Sequence, residues 1–432
     1  MRRCRTLVFA CIALASCSVH ASAGERKSDL PPVPKPSENK GKPGTYLVKT
    51  GRDGYNYYVY VPKSYSDDNP AGLHLYFHGQ GGGGGASGFG QWATSFLEPL
   101  NLIGINMQYM DGNNANDTGG KVAAALEAVL QVSADYKILP RRGVVGSFSG
   151  GGLPHAGFNA RFARGSSLMQ PPFIHAALYG SNFWQRAAGS PQMSWFIGLG
   201  SEEWGMGQPT LGSTQPARFA EVLKETAQGG SLDVYLKITK GKGHAITDAD
   251  VADSARQFRR SDLAYCPFLY AADYREPQLR PIVATANKLR LGEAATAADA
   301  LLATPGISED LKKKATALKE KISKRVDAVV ALVNELAEQD PILSNYYGPV
   351  FMKQLAGQPK AAEVKKVLTE ARKNKNVGAA MAAWGQFAKT FDKMFNGPKL
   401  VESAVPTLEK IKEAAGEKSL LGKMAAEFLT MK

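Results

Sequence analysis

Cysteine is scarce in this chain: four among 432 residues, of which Cys4, Cys11 and Cys17 crowd into the first seventeen positions. Cys266 is then alone in the body, so no internal disulfide can form there and stability has to come from a packed core. With no histidine in a suggestive context beside it, Cys266 reads as a small hydrophobe. Long apolar runs are missing too. The stretch from Leu7 to Ala15 is far short of the ~20 residues that cross a bilayer. No Cys/His spacing suits zinc, no Gly-Lys-Ser/Thr follows a glycine run, and no aromatic signature of RNA binding occurs. A formal charge of +13 therefore does not point to nucleic acid, and dispersed lysines read as a solvated face.

What is present is the composition of a globular protein, 44% hydrophobic and 21% charged, in a chain long enough for two folded units. Residues 1–23 read as a bacterial export signal, with Arg2, Arg3 and Arg5 ahead of the short apolar run and small residues after it. Two processing schemes compete. Leu14-Ala15-Ser16-Cys17 resembles a lipobox, which would make Cys17 a lipidated N-terminus on a membrane, while Ala21-Ser22-Ala23 fits cleavage and release. The expected location is outside the cytoplasm: periplasmic, lipid-anchored or secreted. Residues 24–44, rich in proline and poor in apolar side chains, read as a linker.

From residue 45 to 272, apolar strand-like runs alternate with helical stretches. The runs are Thr45–Thr50, Tyr55–Pro62, Leu73–Phe77, Ile103–Tyr109, Gly143–Ser147, Ile174–Tyr179, Ser194–Leu199 and Leu232–Ile238. Helices are expected at Trp92–Pro99, Lys121–Ala134, after Gly150 and at Pro216–Ala227. Repeated βα units predict an α/β class with a mostly parallel sheet covered by helices on both faces. Residues 275–432 change character, with Ala, Leu, Lys and Glu dominant and 26 basic residues against 18 acidic, and predict an all-α domain. Helices are expected at Pro281–Ala303, Glu309–Glu338, Lys360–Asn374, Ala379–Phe395 and Leu400–Ala415, with another to the C-terminus. The second carries an apolar stripe from Leu311 to Leu336 at three- and four-residue steps.

The strongest chemical signal is the strand running into Gly146-Ser147-Phe148-Ser149-Gly150-Gly151. A nucleophilic serine on a strained strand-to-helix turn needs very small residues two positions before and after it. Ser149 has Gly151 after it, and Ser147 in place of the usual glycine before it. Ser147 is the rival nucleophile, with Val145 and Ser149 as its less suitable flanks. Upstream, Leu73–Phe77 ends in His78-Gly79-Gln80-Gly81-Gly82, where an oxyanion hole would draw one backbone N–H from Gln80 or Gly81 and a second from Gly150. Of six histidines, His244 alone lies in a polar, glycine-flanked loop directly after a strand and is the candidate base. Gly200-Ser201-Glu202-Glu203 puts two carboxylates at a strand end; Glu203 is the favoured acid and Glu202 the alternative, with Asp248 or Asp250 as fallbacks.

The stretch from Tyr46 to Phe258 resembles the α/β-hydrolase superfamily, above all bacterial exported esterases related to feruloyl esterases and polyhydroxyalkanoate depolymerases. Phe77-His78-Gly79, the run Asp135 to Arg142, Ser147–Gly151 and Gly243-His244-Ala245 carry the resemblance. It implies an α/β-hydrolase sheet and a serine hydrolase acting on carboxylic esters, with Ser149, His244 and Glu203 as the triad and no metal or organic cofactor. Polysaccharide-linked or polymeric esters are the expected substrates, against which stands a simpler acyl pocket lined by Phe148, Trp184 and Trp204. A peptidase or thioesterase on the same fold, or a non-catalytic surface protein that binds through its helical domain, are the alternatives.

Overall fold

A computed structural model describes residues 34–52, 54–79, 89–109, 117–163, 173–181, 194–203, 233–396 and 399–431. The strand-like runs pair into one sheet of eight: β1 (Gly44–Lys49), β2 (Tyr55–Val61), β3 (Ala71–Phe77), β4 (Leu102–Tyr109), β5 (Ile138–Phe148), β6 (His175–Tyr179), β7 (Ser194–Gly200) and β8 (Val234–Thr239). Their spatial order is β1-β2-β4-β3-β5-β6-β7-β8. β1 and β2 pair antiparallel, β2 joins β4 antiparallel, and β4 through β8 are mutually parallel. β3, β6 and β7 are buried along their whole length, which is why they read as unbroken apolar runs, whereas β2 alternates buried and half-buried residues. The result is the mostly parallel sheet of an α/β fold expected from the sequence.

The chain lays β4 on one side of β3 and β5 on the other. Right-handed crossovers in opposite directions put their helices on opposite faces. α1 (Thr118–Asp135) and α2 (Gly152–Ala163) pack together on one face; α3 (Asp248–Tyr265) packs with the helical segment 90–100 on the other. At such a reversal the carboxyl ends of neighbouring strands part and leave a crevice, here between β3 and β5. The described end of the Pro-rich stretch is fastened to this body rather than free: Ser37 donates its N–H (2.5 Å) and hydroxyl (2.7 Å) to Asp135. The leader, Cys17 and the helix expected at Pro216–Ala227 lie outside the described residues.

Among the described residues after 274 the regular structure is helical apart from the paired two-residue strands Phe395–Asn396 and Lys399–Leu400: α4 (Arg280–Asn287), α5 (Leu291–Leu302), α6 (Glu309–Gln339), α7 (Pro341–Gln354), α8 (Lys360–Arg372), α9 (Lys375–Thr390), α10 (Val405–Ala415) and α11 (Leu420–Leu429). Ser308 caps α6 by accepting from Leu311 N, and Leu318, Ile322, Val326, Val329, Val333 and Leu336 form its buried stripe. Two expectations are corrected. Pro281–Ala303 is two helices, because Leu289 adopts φ +59° and Arg290 N reaches back to Thr285 O (3.2 Å), ending the first. α7 was not expected at all; Gly348 and Pro349 lie inside it.

This helical region completes the α/β unit at two exposed points. The last carbonyls of any helix lack intrahelical donors. For α3, the Gln354 amide donates to Leu263 O (3.2 Å) and Ala264 O (3.0 Å), and the Arg325 guanidinium to Cys266 O just past the helix (3.2 Å) and to Asp262 O (2.5 Å), which also accepts from Cys266 N (3.0 Å). At the sheet edge, α11 lies along β8, and the Glu427 carboxylate accepts from Ile238 N (3.0 Å) and the Tyr235 hydroxyl (2.8 Å).

Candidate active site

β5 ends at Phe148 in extended backbone, and Ser149 then turns into the left-handed region at φ +51° before α2 begins. A non-glycine residue there is strained, so the surrounding packing must hold it. Gly151 is part of that packing, since a Cβ on it would sit 2.4 Å from Phe77 O and 2.6 Å from His78 O. The loop after β3 can thus lie directly against the turn. Gly79 in that loop abuts Ser149, where an added Cβ would be 3.0 Å from the serine's own Cβ. Gly150 follows Ser149 in the same turn. Gln80 and Gly81, the other expected oxyanion residues, lie outside the described residues, as do Trp184 and Trp204.

The rival Ser147 is placed differently. It is fully buried in β5, and its Oγ bonds His155 Nδ1 (2.9 Å) on the first turns of α2. The position that departs from the usual glycine therefore carries a bond tying strand to helix around the turn. Burial holds His155 neutral, pushing its pKa down to about 3.

His244 lies between β8 and α3. Its Nδ1 stands 2.5 Å from Glu203 Oε2, and the other carboxylate oxygen accepts from Gly200 N (2.7 Å). Glu203 is 1% exposed and His244 36%. A carboxylate oxygen can only accept, so Nδ1 carries the ring proton and Nε2 is left with its lone pair. Glu202 is exposed; its N–H donates to Lys242 O (3.2 Å). The fallback acids are engaged elsewhere: Asp250 pairs with Lys242 and Lys237, and Asp248 opens α3.

Two neighbours bring this pair to Ser149. The Phe148 ring stacks on the His244 ring with centroids 4.6 Å apart, so the serine's chain neighbour touches the histidine. Gly180, at φ +53° after β6, packs against the same ring, where a Cβ would lie 2.8 Å from it. Among the described residues no hydrogen bond joins Ser149 to His244; such bonds are often long without substrate and tighten when it binds. Sequence reading missed Phe148 as a wall for the ring, and Gly180 altogether. Only the lone glycine after β6 hinted at the second.

The other described histidines serve the interior. His175 bridges Ser194 (2.7 Å) and Ser254 (2.9 Å), and His74 packs among Tyr76, Trp92 and Phe96; burial pushes both pKa values down to about 3. His78 stacks on Tyr109, whose hydroxyl donates to His78 O. Among the described residues no group of three or more His, Cys, Asp or Glu side chains is placed to hold a metal ion.

No protein-family model and no curated protein matches the chain. Among solved structures it is similar to a thermostable esterase (15% identity, TM-score 0.35), with 50% of this chain covered and 59% of that one. It is also similar to an acetyl xylan esterase from Aspergillus awamori (17% identity, TM-score 0.36; 50% and 99%). A third is a thermophilic esterase from the Planctomycetes species Thermogutta terrifontis (15% identity, TM-score 0.34; 52% and 92%). Likenesses of that size decide nothing about chemistry, which has to be read from this chain's own side chains.

Proposed function

We propose that the chain is a serine hydrolase acting on carboxylic esters. Ser149 attacks the ester carbonyl, His244 Nε2 takes its proton and returns it to the leaving alcohol, and water then releases the acyl group by the same relay. Glu203 fixes the Nδ1-protonated tautomer and stabilises the imidazolium that forms. Gly150, with Gln80 or Gly81, supplies the backbone N–H groups for the oxyanion. One observation carries the reading: a serine held at φ +51° on a strand-to-helix turn follows β5 at the same carboxyl end of the sheet where His244, after β8, bonds the buried Glu203, after β7, at 2.5 Å.

Neither a metal nor an organic cofactor has a step in this chemistry. The motif resemblance to feruloyl esterases and polyhydroxyalkanoate depolymerases makes polysaccharide-linked and polymeric esters the first natural substrates to try. The N-terminal pattern supports a location outside the cytoplasm of a bacterium, released or anchored through Cys17. The test is labelling by a fluorophosphonate, expected in the wild type and in Ser147→Ala but lost in Ser149→Ala. A panel of chromogenic esters, amides and thioesters then separates an esterase from a peptidase or thioesterase. Labelling that survives Ser149→Ala would remove the proposed nucleophile.

A further inference from the structure

The loop that carries His244 is closed by one buried carboxylate. Asp250 Oδ2 accepts from Lys242 Nζ (2.7 Å), two residues before His244, and from Thr247 N (3.1 Å), three residues after it. Its other oxygen stands 3.2 Å from Lys237 Nζ of β8, the strand that feeds the loop. Lys237 also pairs with Asp253 (2.8 Å) on the next turn of α3. Thr247 completes the arrangement as the cap of α3, its hydroxyl accepting from Asp250 N.

The clamp reaches the acid as well. Lys242 O accepts from Glu202 N (3.2 Å), and it lies so close to Gly200 that a Cβ there would be 1.9 Å away. Residue 242 is therefore pinned by its side chain to Asp250 and by its backbone to the turn presenting Glu203. Asp250 is fully buried, and burial disfavours its charge, yet the two ammonium groups outweigh that and hold its pKa below the usual carboxylate range. An ion pair kept inside the protein contributes little net stability compared with an apolar pair of the same shape. Its value here is geometric.

We propose that Asp250, acting through Lys242, is the positioning residue of the reaction: it sets the distance between His244 and Glu203 without touching substrate. The proposal rests on the triad reading given above. It accounts for a carboxylate close to the histidine in sequence that is not the histidine's own partner.

The experiment uses Asp250→Asn, which keeps an acceptor for Thr247 N but loses the charge, together with Lys242→Met and Lys242→Arg. A displacement of about 1 Å in a catalytic group costs roughly a hundredfold in rate. Asp250→Asn and Lys242→Met should lower kcat on p-nitrophenyl acetate by about that factor with KM changed less than about threefold. Fluorophosphonate labelling of Ser149 should slow in parallel, and the strongly deshielded proton NMR signal of the Nδ1–H···Oε2 bond should broaden or vanish. Lys242→Arg should restore most of both. A merely structural role would lower the folded fraction and leave that signal in the molecules that remain folded. If Asp250→Asn does not fold, the two Lys242 variants decide. Unchanged kcat and an intact signal in Lys242→Met would overturn the clamp alone. A wild type that is neither labelled at Ser149 nor active on esters would overturn the clamp and the triad together.

Discussion

Nδ1 of His244 and Oε2 of Glu203 lie 2.5 Å apart, while Glu202, the preceding residue, is exposed and gives its backbone N–H to Lys242 O. Two adjacent glutamates are thus separated by the tight turn after β7, which folds one carboxylate inward. Glu203→Gln should lower kcat by roughly 10³–10⁴ with a small change in KM, the scale seen when a triad acid becomes an amide and the wrong tautomer is held. Glu202→Gln should stay within about threefold of wild type, as expected of an exposed side chain outside the relay. Steady-state kinetics on a soluble ester checks both.

Gly180 should tolerate no side chain. A methyl group would lie 2.8 Å from the His244 ring, at a backbone φ of +53° that disfavours alanine by about 1–2 kcal/mol. The ring would have to turn away from Glu203. Gly180→Ala should lower kcat tenfold to roughly a hundredfold. Thermal melting on the same sample separates that loss from a stability change.

Ser147→Ala should remain labelled at Ser149 while losing about 1–3 kcal/mol of stability, because His155 Nδ1 is left buried without its 2.9 Å partner. Replacing both members by apolar groups, as in Ser147→Ala with His155→Leu, should recover much of that loss. Denaturant titration measures the first effect and the double variant tests the second. Equal instability in both would mean that the bond does not hold the turn.

Two sets of buried groups give stability opposite pH dependences. His74, His155 and His175 have folded pKa values pushed down from 6.5 to about 3, so their contribution is present above pH 6.5 and lost as pH falls toward 3. Glu427 is pushed up from 4.5 to about 7 by burial, with Tyr235 and Ile238 N–H opposing. Its contribution is present below 4.5 and declines as pH rises through 7. The histidines contribute equally to the wild type and to Glu427→Gln, so the difference between the two isolates the glutamate. Between pH 6.5 and 8 the wild type should lose about 0.8 kcal/mol relative to Glu427→Gln. Melting curves at the two pH values test this, and parallel losses would count against a charge forming at Glu427.

The sheet and the chemistry were legible to different depths. Continuous apolar runs such as Ser194–Leu199 could be read as strands because both their faces are covered, and the small residues around Ser149 could be read as a turn because no larger ones fit. Strand order was not legible, since period alone does not say which parallel strand lies beside which. α7 escaped because Gly348 and Pro349 look like a loop, whereas its burial against neighbouring helices outweighs their poor helix propensity. The break at Leu289 escaped because leucine seldom takes a left-handed backbone. Gly180, Lys242 and Asp250 escaped for a different reason: each acts through a contact between segments that only the folded sheet brings together.

Because Glu427 takes up the Ile238 N–H and α11 lies over β8, the two halves of the chain share a boundary that neither could leave bare. Cutting after residue 274 would uncover a strand whose amides are ready to recruit another molecule, and would strip the α3 carbonyls of Arg325 and Gln354. A trimmed α/β half should therefore clump in dilute buffer rather than stand alone, and the intact protein should melt in one step in calorimetry. Separate melting of the halves would contradict this interdependence.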